Sequence, residues 1–254
     1  MTMTLNKNKL IILARRYLSL STRRKIIRYT RWPPVGLVRF GSLRRLTPVS
    51  AAWGTERGKP VDRYYIEKFL AGHSQDIQGV VLEIGDNTYT QQFGGDKVNR
   101  SEVLHVAEQK PHVTLIANLE NGQGIPSDCF DCVLLTQTLQ FIFDVPAVLK
   151  TIERILKPGG VALITVPGIS QISRYDMDHW GDYWRFTTKS LQRLLEDVFP
   201  VEQITVNAYG NVLAAMAFLY GLAAEELRQS ELDYFDPDYE LLIAARARKP
   251  IKLS

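Results

Sequence analysis

Residues able to do chemistry gather in two stretches. In Asp176-Met177-Asp178-His179-Trp180 two carboxylates stand beside an imidazole, and a histidine's resting pKa near neutrality suits general-base work. His179 and Asp178 are therefore the candidate catalytic residues, with substrate binding or a plain polar loop as the other readings. In Val80 to Thr90, VVLEIGDNTYT, a short apolar run carries an acid, Glu83, then a glycine, Gly85, then small polar residues. A buried parallel strand delivering backbone to a ligand at its carboxyl end has this pattern. Cys129 and Cys132 have redox CxxC spacing, but they lie where a buried strand begins. With no second pair they make neither a zinc site nor a disulfide framework, and no metal site is expected.

Such groups need elements to hold them, and from Arg57 onward helical and strand patterns alternate. Val61 to Leu70 puts Val61, Tyr65, Ile66, Phe69 and Leu70 on one face, and Gly72 ends it. Strands are expected at Val80 to Ile84, Lys97 to Ser101, His112 to Ala117, Cys132 to Thr136, Val161 to Val166, Val201 to Val206 and Glu240 to Ala245. Asp144-Val145-Pro146 starts a helix with a capping carboxylate and a proline in the first turn, and Pro158-Gly159-Gly160 stops it. Thr187 to Val198 is a further helix. Asn211 to Leu227 is a strongly apolar one that could pack in the core, wall a pocket or form a dimer face. The βαβα order predicts an α/β fold: a Rossmann-like, seven-stranded, mostly parallel sheet with helices on both faces and ligands at the strands' carboxyl ends. With 254 residues, 45% of them hydrophobic, one such domain over residues 56–254 has a full core.

Charge separates this domain from what precedes it. Residues 1–55 contain twelve lysines and arginines and no acid, so against a net charge of +4 the remainder carries −8. Breakers mark the end of this basic helical extension, in Trp32-Pro33-Pro34-Val35-Gly36 and Pro48. Leu10 to Leu20 has a helical stripe interrupted by Arg15 and Arg16, too short for a membrane span or a signal peptide core. Ser21 and Thr22 are expected to cap a second helix, Arg23 to Tyr29. Two basic amphipathic pieces over residues 5–45 fit an anionic membrane surface or a protein partner; a solvated extension and a nucleic-acid arm share the composition. The expected setting is cytoplasmic, peripheral to the membrane if the arm docks there.

Leu82-Glu83-Ile84-Gly85, then Ser127 to Leu135 (SDCFDCVLL), then Ile155-Leu156-Lys157-Pro158-Gly159-Gly160 running into a strand, resemble three ordered landmarks of class I S-adenosylmethionine-dependent methyltransferases, most closely the type 11 subgroup. Gly181 to Thr187, GDYWRFT, looks like the loop after the fifth strand in many of these proteins. The resemblance implies S-adenosylmethionine as cofactor. Because that subgroup often accompanies polysaccharide synthesis, it also implies a glycan, glycolipid precursor or other small molecule as acceptor.

It also implies roles. Glu83, Gly85, Asp86 and Asn87 form the cofactor loop: glycine admits the ligand to the backbone, and the acid accepts from its ammonium unless it only caps a helix or pairs with an arginine. Glu102 falls at the acidic position that grips ribose hydroxyls, a solvated turn residue being the other reading. Asn118 and Leu119 lie by the adenine, unless Asn118 only initiates a turn, and Thr136 and Gln137 floor the methionine part. Arg57 and Arg63, beside Tyr64, could bring positive charge from a lid or lie on a helix surface. Trp180, Tyr183, Trp184 and Arg185 sit in the acceptor loop, the aromatics suited to a sugar ring or to the lid's own core.

The chain departs from the family pattern after Gly85, where Asp86-Asn87-Thr88-Tyr89-Thr90 replaces further glycines and Gly94 arrives late. The first crossover helix must be short or replaced by a loop, and a dinucleotide enzyme is disfavoured because GxGxxG is absent. The expected function is methyl transfer to a hydroxyl. A non-catalytic scaffold docking through its basic arm and a nucleic-acid methyltransferase are the alternatives.

Overall fold

The computed structural model describes residues 17–30, 32–106 and 111–251. The chain divides into two units, Met1–Leu46 and Thr47–Ser254. In the first, helix α1 (Leu20–Thr30) is capped by Ser19, whose hydroxyl accepts from the Thr22 N–H at 3.2 Å, so the cap falls before Ser21 and Thr22. A 3₁₀ turn at Gly41–Leu43 follows. Most of the stripe Leu10 to Leu20 lies outside the described residues. Residues 47–55, which composition groups with the arm, belong to the second unit: the N–H groups of Val49 and Ser50 donate to the Tyr220 carbonyl at 2.7 and 3.2 Å.

The second unit is a seven-stranded sheet. In chain order it runs α2 (Val61–Gly72), β1 (Gly79–Ile84), β2 (Val98–His105), β3 (Leu115–Ile116), β4 (Phe130–Thr136), α3 (Val145–Ile155) and β5 (Leu156–Pro167). Then come α4 (Arg174–His179), α5 (Thr188–Glu196), β6 (Ile204–Tyr209), α6 (Val212–Leu219), α7 (Gln229–Asp233) and β7 (Leu242–Arg248). Strand order is β3-β2-β1-β4-β5-β7-β6, parallel from β3 to β5, with β7 antiparallel to both β5 and β6. The apolar helix expected to Leu227 stops at Leu219, and the Pro158-Gly159-Gly160 stop lies inside an irregular start of β5.

Period-two alternation divides the strand side chains between two cores. On one face Leu82, Val133, Leu135, Ile164 and Ala245 meet α3 and α5, through Val148, Leu149, Ile152 and Leu191. On the other, Val81, Leu134, Leu163 and Ala244 meet α2 and α6, through Tyr65, Phe69, Ala214 and Phe218. Central parallel strands need cover on both faces because their connections cross over the sheet, which is why their residues are mostly apolar. Two polar contacts tie the ends together. Arg246 makes a two-pronged pair with Asp76 at 2.8 Å each, and Lys249 reaches Asp128 at 2.8 Å. The Arg246 guanidinium holds the Asp76 carboxyl well below the usual range, outweighing its burial.

Ile152 is fully buried on α3 against the sheet. Ile152→Ala should destabilise the protein by about 2–5 kcal/mol through lost transfer energy and the cavity left behind. A urea titration should show a lower midpoint with an unchanged slope.

Candidate active site

β1 and β4 are neighbours, but their connections leave over opposite faces, so a crevice opens at their carboxyl ends. Two cavities meet there. One, of about 500 Å³, lies over the ends of β1 to β4, between Gly85, His105, Asn118 and Thr138; its walls are apolar, from Leu104, Ala117, Leu119, Phe141 and Ile142. The other, of about 330 Å³, is polar, with Asp62, Arg63, Glu83, Asp86, Asp176 and Arg185 in its lining. Ile84, Thr136, Gln137, Phe141 and Asp176 line both.

Gly85 opens the first cavity. Its φ is +87°, in the region that favours glycine, and a Cβ built there meets nothing, so the backbone faces open space. The helix that would ordinarily follow is cut to a single π turn, Thr90–Gly94. Glu83 explains how the loop survives. Its carboxylate accepts the N–H groups of Tyr89 and Thr90 at 3.2 and 2.8 Å and the Thr90 hydroxyl at 2.7 Å. Glu83 thus performs the capping role, with its oxygens committed to the loop. Burial, at 2% exposure, pushes its carboxyl up to about 7 in spite of these donors.

Gln137, where β4 ends, marks the junction of the cavities. It holds φ at +47°, which costs of order 1 kcal/mol or more in a residue with a side chain. The Gln140 amide donates to the Gln137 carbonyl and to its Oε1 at 2.9 and 3.2 Å, leaving Gln137 Nε2 and Gln140 Oε1 buried without partners among the described residues. Buried polar atoms are otherwise paired almost throughout, so this donor and acceptor suit a ligand at the junction.

The loop from Gly168 to Thr187 covers the site and is pinned from within. Asp182 pairs with Arg185 at 2.6 Å and accepts the Ser173 N–H at 2.9 Å, while Arg185 also donates to the Gln171 and Trp184 carbonyls at 2.5 and 2.8 Å. Burial works against the charged Asp182, yet the Arg185 guanidinium keeps its carboxyl below the ordinary value. Arg185 is in the cavity wall, but its donors are engaged by the loop. Tyr183 lines the larger cavity. Trp184 donates its indole N–H to the Ile142 carbonyl at 3.1 Å and packs near Phe143.

The other sequence candidates divide. Gly85, Asn118, Leu119, Thr136, Gln137, His179 and Trp180 line the larger cavity, while Glu83, Asp86 and Arg63 line the smaller. Glu102 does not reach either. β2 runs on to His105, so Glu102 sits mid-strand opposite Leu82, paired with Arg100 at 3.0 Å, and His105 stands at the carboxyl end instead. Asn87 bonds Ser101 and Gln91 outside the cavities. Arg57 is committed to Glu226 at 2.5 and 3.0 Å, tying the segment before α2 to a later one, and the Tyr64 hydroxyl to Asp233 at 2.8 Å, bracing α2 itself.

Asp178 turns away from the cavities toward Arg174, 3.8 Å away. Asp176, one turn from His179 and Trp180, faces both cavities and accepts the Ser173 hydroxyl at 2.5 Å. His179 Nδ1 lies 2.7 Å from the Tyr175 carbonyl, which only accepts, so Nδ1 carries the proton and Nε2 is the free nitrogen of the neutral ring. Asp62, at the start of α2, is a further wall residue that sequence reasoning passed over. Burial pushes its carboxyl up to about 6, with Arg63 pulling the other way.

A parallel sheet closed by an antiparallel β7, with its ligand crevice between β1 and β4, defines a class of cofactor-binding α/β enzyme. The chain belongs to the methyltransferase domain family, whose model matches residues 51–203. Its fold is shared with the [4+2]-cyclase SpnF, at 16% identity over 77% of this chain and 85% of that one, with a TM-score of 0.50. It is also similar to an S-adenosylmethionine-dependent methyltransferase from Archaeoglobus fulgidus (13% identity, 74% and 94% of the two chains, TM-score 0.49). A third is the N-methyltransferase NodS from Bradyrhizobium japonicum, in complex with S-adenosylhomocysteine (16%, 77% and 91%, 0.47). No curated protein sequence matches the chain. Residues 51–203 are thus a methyltransferase domain, and the cofactor its sequence landmarks imply is S-adenosylmethionine.

The donor set fits that cofactor. The larger cavity offers apolar walls with Asn118 and His105 at its edges, suited to a nucleoside; Gly85 leaves open space beside it, and the unpaired Gln137 Nε2 lies where the cavities join. His105→Ala and His179→Ala should each weaken S-adenosylhomocysteine binding about tenfold by calorimetry, about 1.4 kcal/mol for one lost hydrogen bond or ring contact.

Glu83 yields a pH prediction. A carboxyl raised from 4.5 to about 7 on folding contributes stability that is complete below pH 4.5 and lost as pH climbs through 7. Thermal melts across that window should show the native protein losing stability relative to Glu83→Gln. A constant difference would mean the native carboxyl is already ionised.

Proposed function

We propose that the protein transfers a methyl group to a hydroxyl of an uncharged acceptor, a sugar unit of a glycan or glycolipid precursor, held in the smaller cavity. The observation that carries this reading is the junction: a nucleoside-sized apolar cavity opens onto a polar one through the shared residues Thr136, Gln137 and Asp176. Bound across that junction, S-adenosylmethionine supplies an activated methyl on a sulfonium. Gly85, Asn118, His105 and Gln137 would hold it, with Arg63 the guanidinium nearest in kind to its carboxylate.

The acceptor side is rich in acids. Asp62, Asp86 and Asp176 share the lining with two guanidiniums that have partners, Arg63 donating to the Tyr89 hydroxyl at 3.0 Å and Arg185 paired with Asp182. That balance disfavours a phosphate or carboxylate next to the reacting hydroxyl. The Oε1 of Gln140 can accept a hydrogen bond from an acceptor hydroxyl. Asp62, poised near 6, is the base that can take the hydroxyl proton at neutral pH, in place of the His179 and Asp178 pair. Its neighbours serve mainly to align the acceptor and exclude water, since a sulfonium is already a good leaving group. The exposed aromatics Phe143 and Tyr183, with ring centroids 5.4 Å apart, line the larger cavity and not the acceptor's.

The reading of a non-catalytic scaffold draws on one observation, the loss of the helix after β1 and the commitment of Glu83 to its loop. Calorimetry separates the two: the enzyme should bind S-adenosylhomocysteine, whereas no heat at millimolar ligand supports the scaffold. With an active acceptor found by labelled-methyl transfer to neutral oligosaccharides, Asp62→Asn should lower kcat by roughly 10²-fold while leaving cofactor affinity intact. The native rate should rise through pH 6 and that rise should vanish in the variant.

A further inference from the structure

We infer that the protein docks on an anionic phospholipid surface, using the exposed face of α6 and the basic arm that precedes the methyltransferase unit in sequence. α6, VLAAMAFL, has no charged residue. One side of it, Ala214, Ala215, Ala217 and Phe218, packs in the core. Val212, Leu213, Met216 and Leu219, on the other side, are 37–48% exposed. A surface helix of a water-soluble domain normally carries charge on its outer face. An outer face that is wholly apolar marks a surface meant for something other than water.

The second observation says what that something is. The Tyr220 carbonyl at the end of α6 accepts the N–H groups of Val49 and Ser50, so the chain that enters this unit at Thr47 does so at the end of the apolar helix. The arm preceding Thr47 has no acid. Its described part exposes Trp32, Leu37, Val38 and Phe40 among Arg39, Arg44 and Arg45, and the Arg44 guanidinium lies 5.4 Å from the centroid of the Phe40 ring.

Aromatic and aliphatic side chains interleaved with arginine suit the headgroup boundary, where the rings enter the apolar edge and the cations meet lipid phosphate. A nucleic acid would use the arginines but has no use for the α6 face, and a second protein copy would use the apolar face but has no stated need for an acid-free arm. No helix among the described residues is long and apolar enough to cross a membrane, so the docking is peripheral. This inference does not depend on the identity of the methyl acceptor.

The test is co-sedimentation of the full chain with vesicles of phosphatidylcholine alone and of phosphatidylcholine mixed with phosphatidylglycerol. Binding to the mixed vesicles should be stronger by about tenfold or more, and higher salt should weaken it without abolishing it. Leu213→Glu with Met216→Glu, and separately Arg39→Glu with Arg44→Glu and Arg45→Glu, should each reduce that binding about tenfold, with circular dichroism and S-adenosylhomocysteine binding unchanged. The comparison between the two vesicle types needs no variant, so a misfolded variant leaves the test standing. Absence of pelleting with mixed vesicles, equal pelleting with both vesicle types, or binding indifferent to the α6 changes in a folded variant overturns the inference. So does vesicle indifference accompanied by polyuridylate binding lost in the arm variant, or by a dimer that the α6 changes dissociate.

Discussion

The site depends on one topological constraint, the adjacency of β1 and β4 in a parallel sheet whose connections there diverge to opposite faces. A parallel strand cannot turn back on its neighbour, so the chain leaves the carboxyl end of β1 over one face and that of β4 over the other. The backbone bordering that gap pairs on one side, the Gly85 N–H donating to the Leu104 carbonyl of β2 at 3.0 Å and the Gln137 N–H to the Thr165 carbonyl of β5 at 2.9 Å. Gly85, Gln137 and the ends of Ile84 and Thr136 are at this gap, and both cavities are shaped by it. The apolar layers on either side then serve a positional purpose: α3 and α5 on one face and α2 and α6 on the other hold the strand ends level.

Glu83 shows the compromise that such a site imposes. A short loop after β1 keeps the cavity open but leaves backbone donors without the helix that would satisfy them. The carboxylate fills that deficit with three short hydrogen bonds, and the surrounding core makes it reluctant to ionise. A buried acid with satisfied oxygens is tolerable where an unpaired one would cost several kcal/mol. The same residue therefore stabilises the loop and lowers the negative charge beside Asp86.

Much of the architecture was legible in the sequence, because apolar runs of parallel strands, the Asp144 cap and the proline and glycine stops are local signals. The Asp144 carboxylate does accept from the Ala147 N–H at 3.0 Å. Strand ends were less legible, since they are set by pairing. Ile84 ends β1 opposite Leu104, which carries β2 past Glu102 and puts His105, not an acid, at the edge of the cavity. Within α4 the helical period decides between neighbours: Ser173 as cap and Asp176, His179 and Trp180 at one-turn spacing share a face, which leaves Asp178 on the other. That signal was present in the sequence once the helix start was known. The fates of Arg57 and Tyr64 were not, because their partners Glu226 and Asp233 lie 169 residues further on.

The protonation of the cavity acids bears on what kind of acceptor the site can serve. A sulfonium methyl donor carries positive charge, and attack by a neutral hydroxyl moves that charge onto the acceptor oxygen until a proton leaves. Burial raises Asp62 to about 6 and Glu83 to about 7, so at pH 7 Asp62 is mostly ionised and able to take up a proton. In the proposed transfer to a hydroxyl, Asp62 would receive the acceptor's proton as the oxygen becomes positive, which is the moment at which a base assists. The burial that raises its carboxyl is what would suit it to that role.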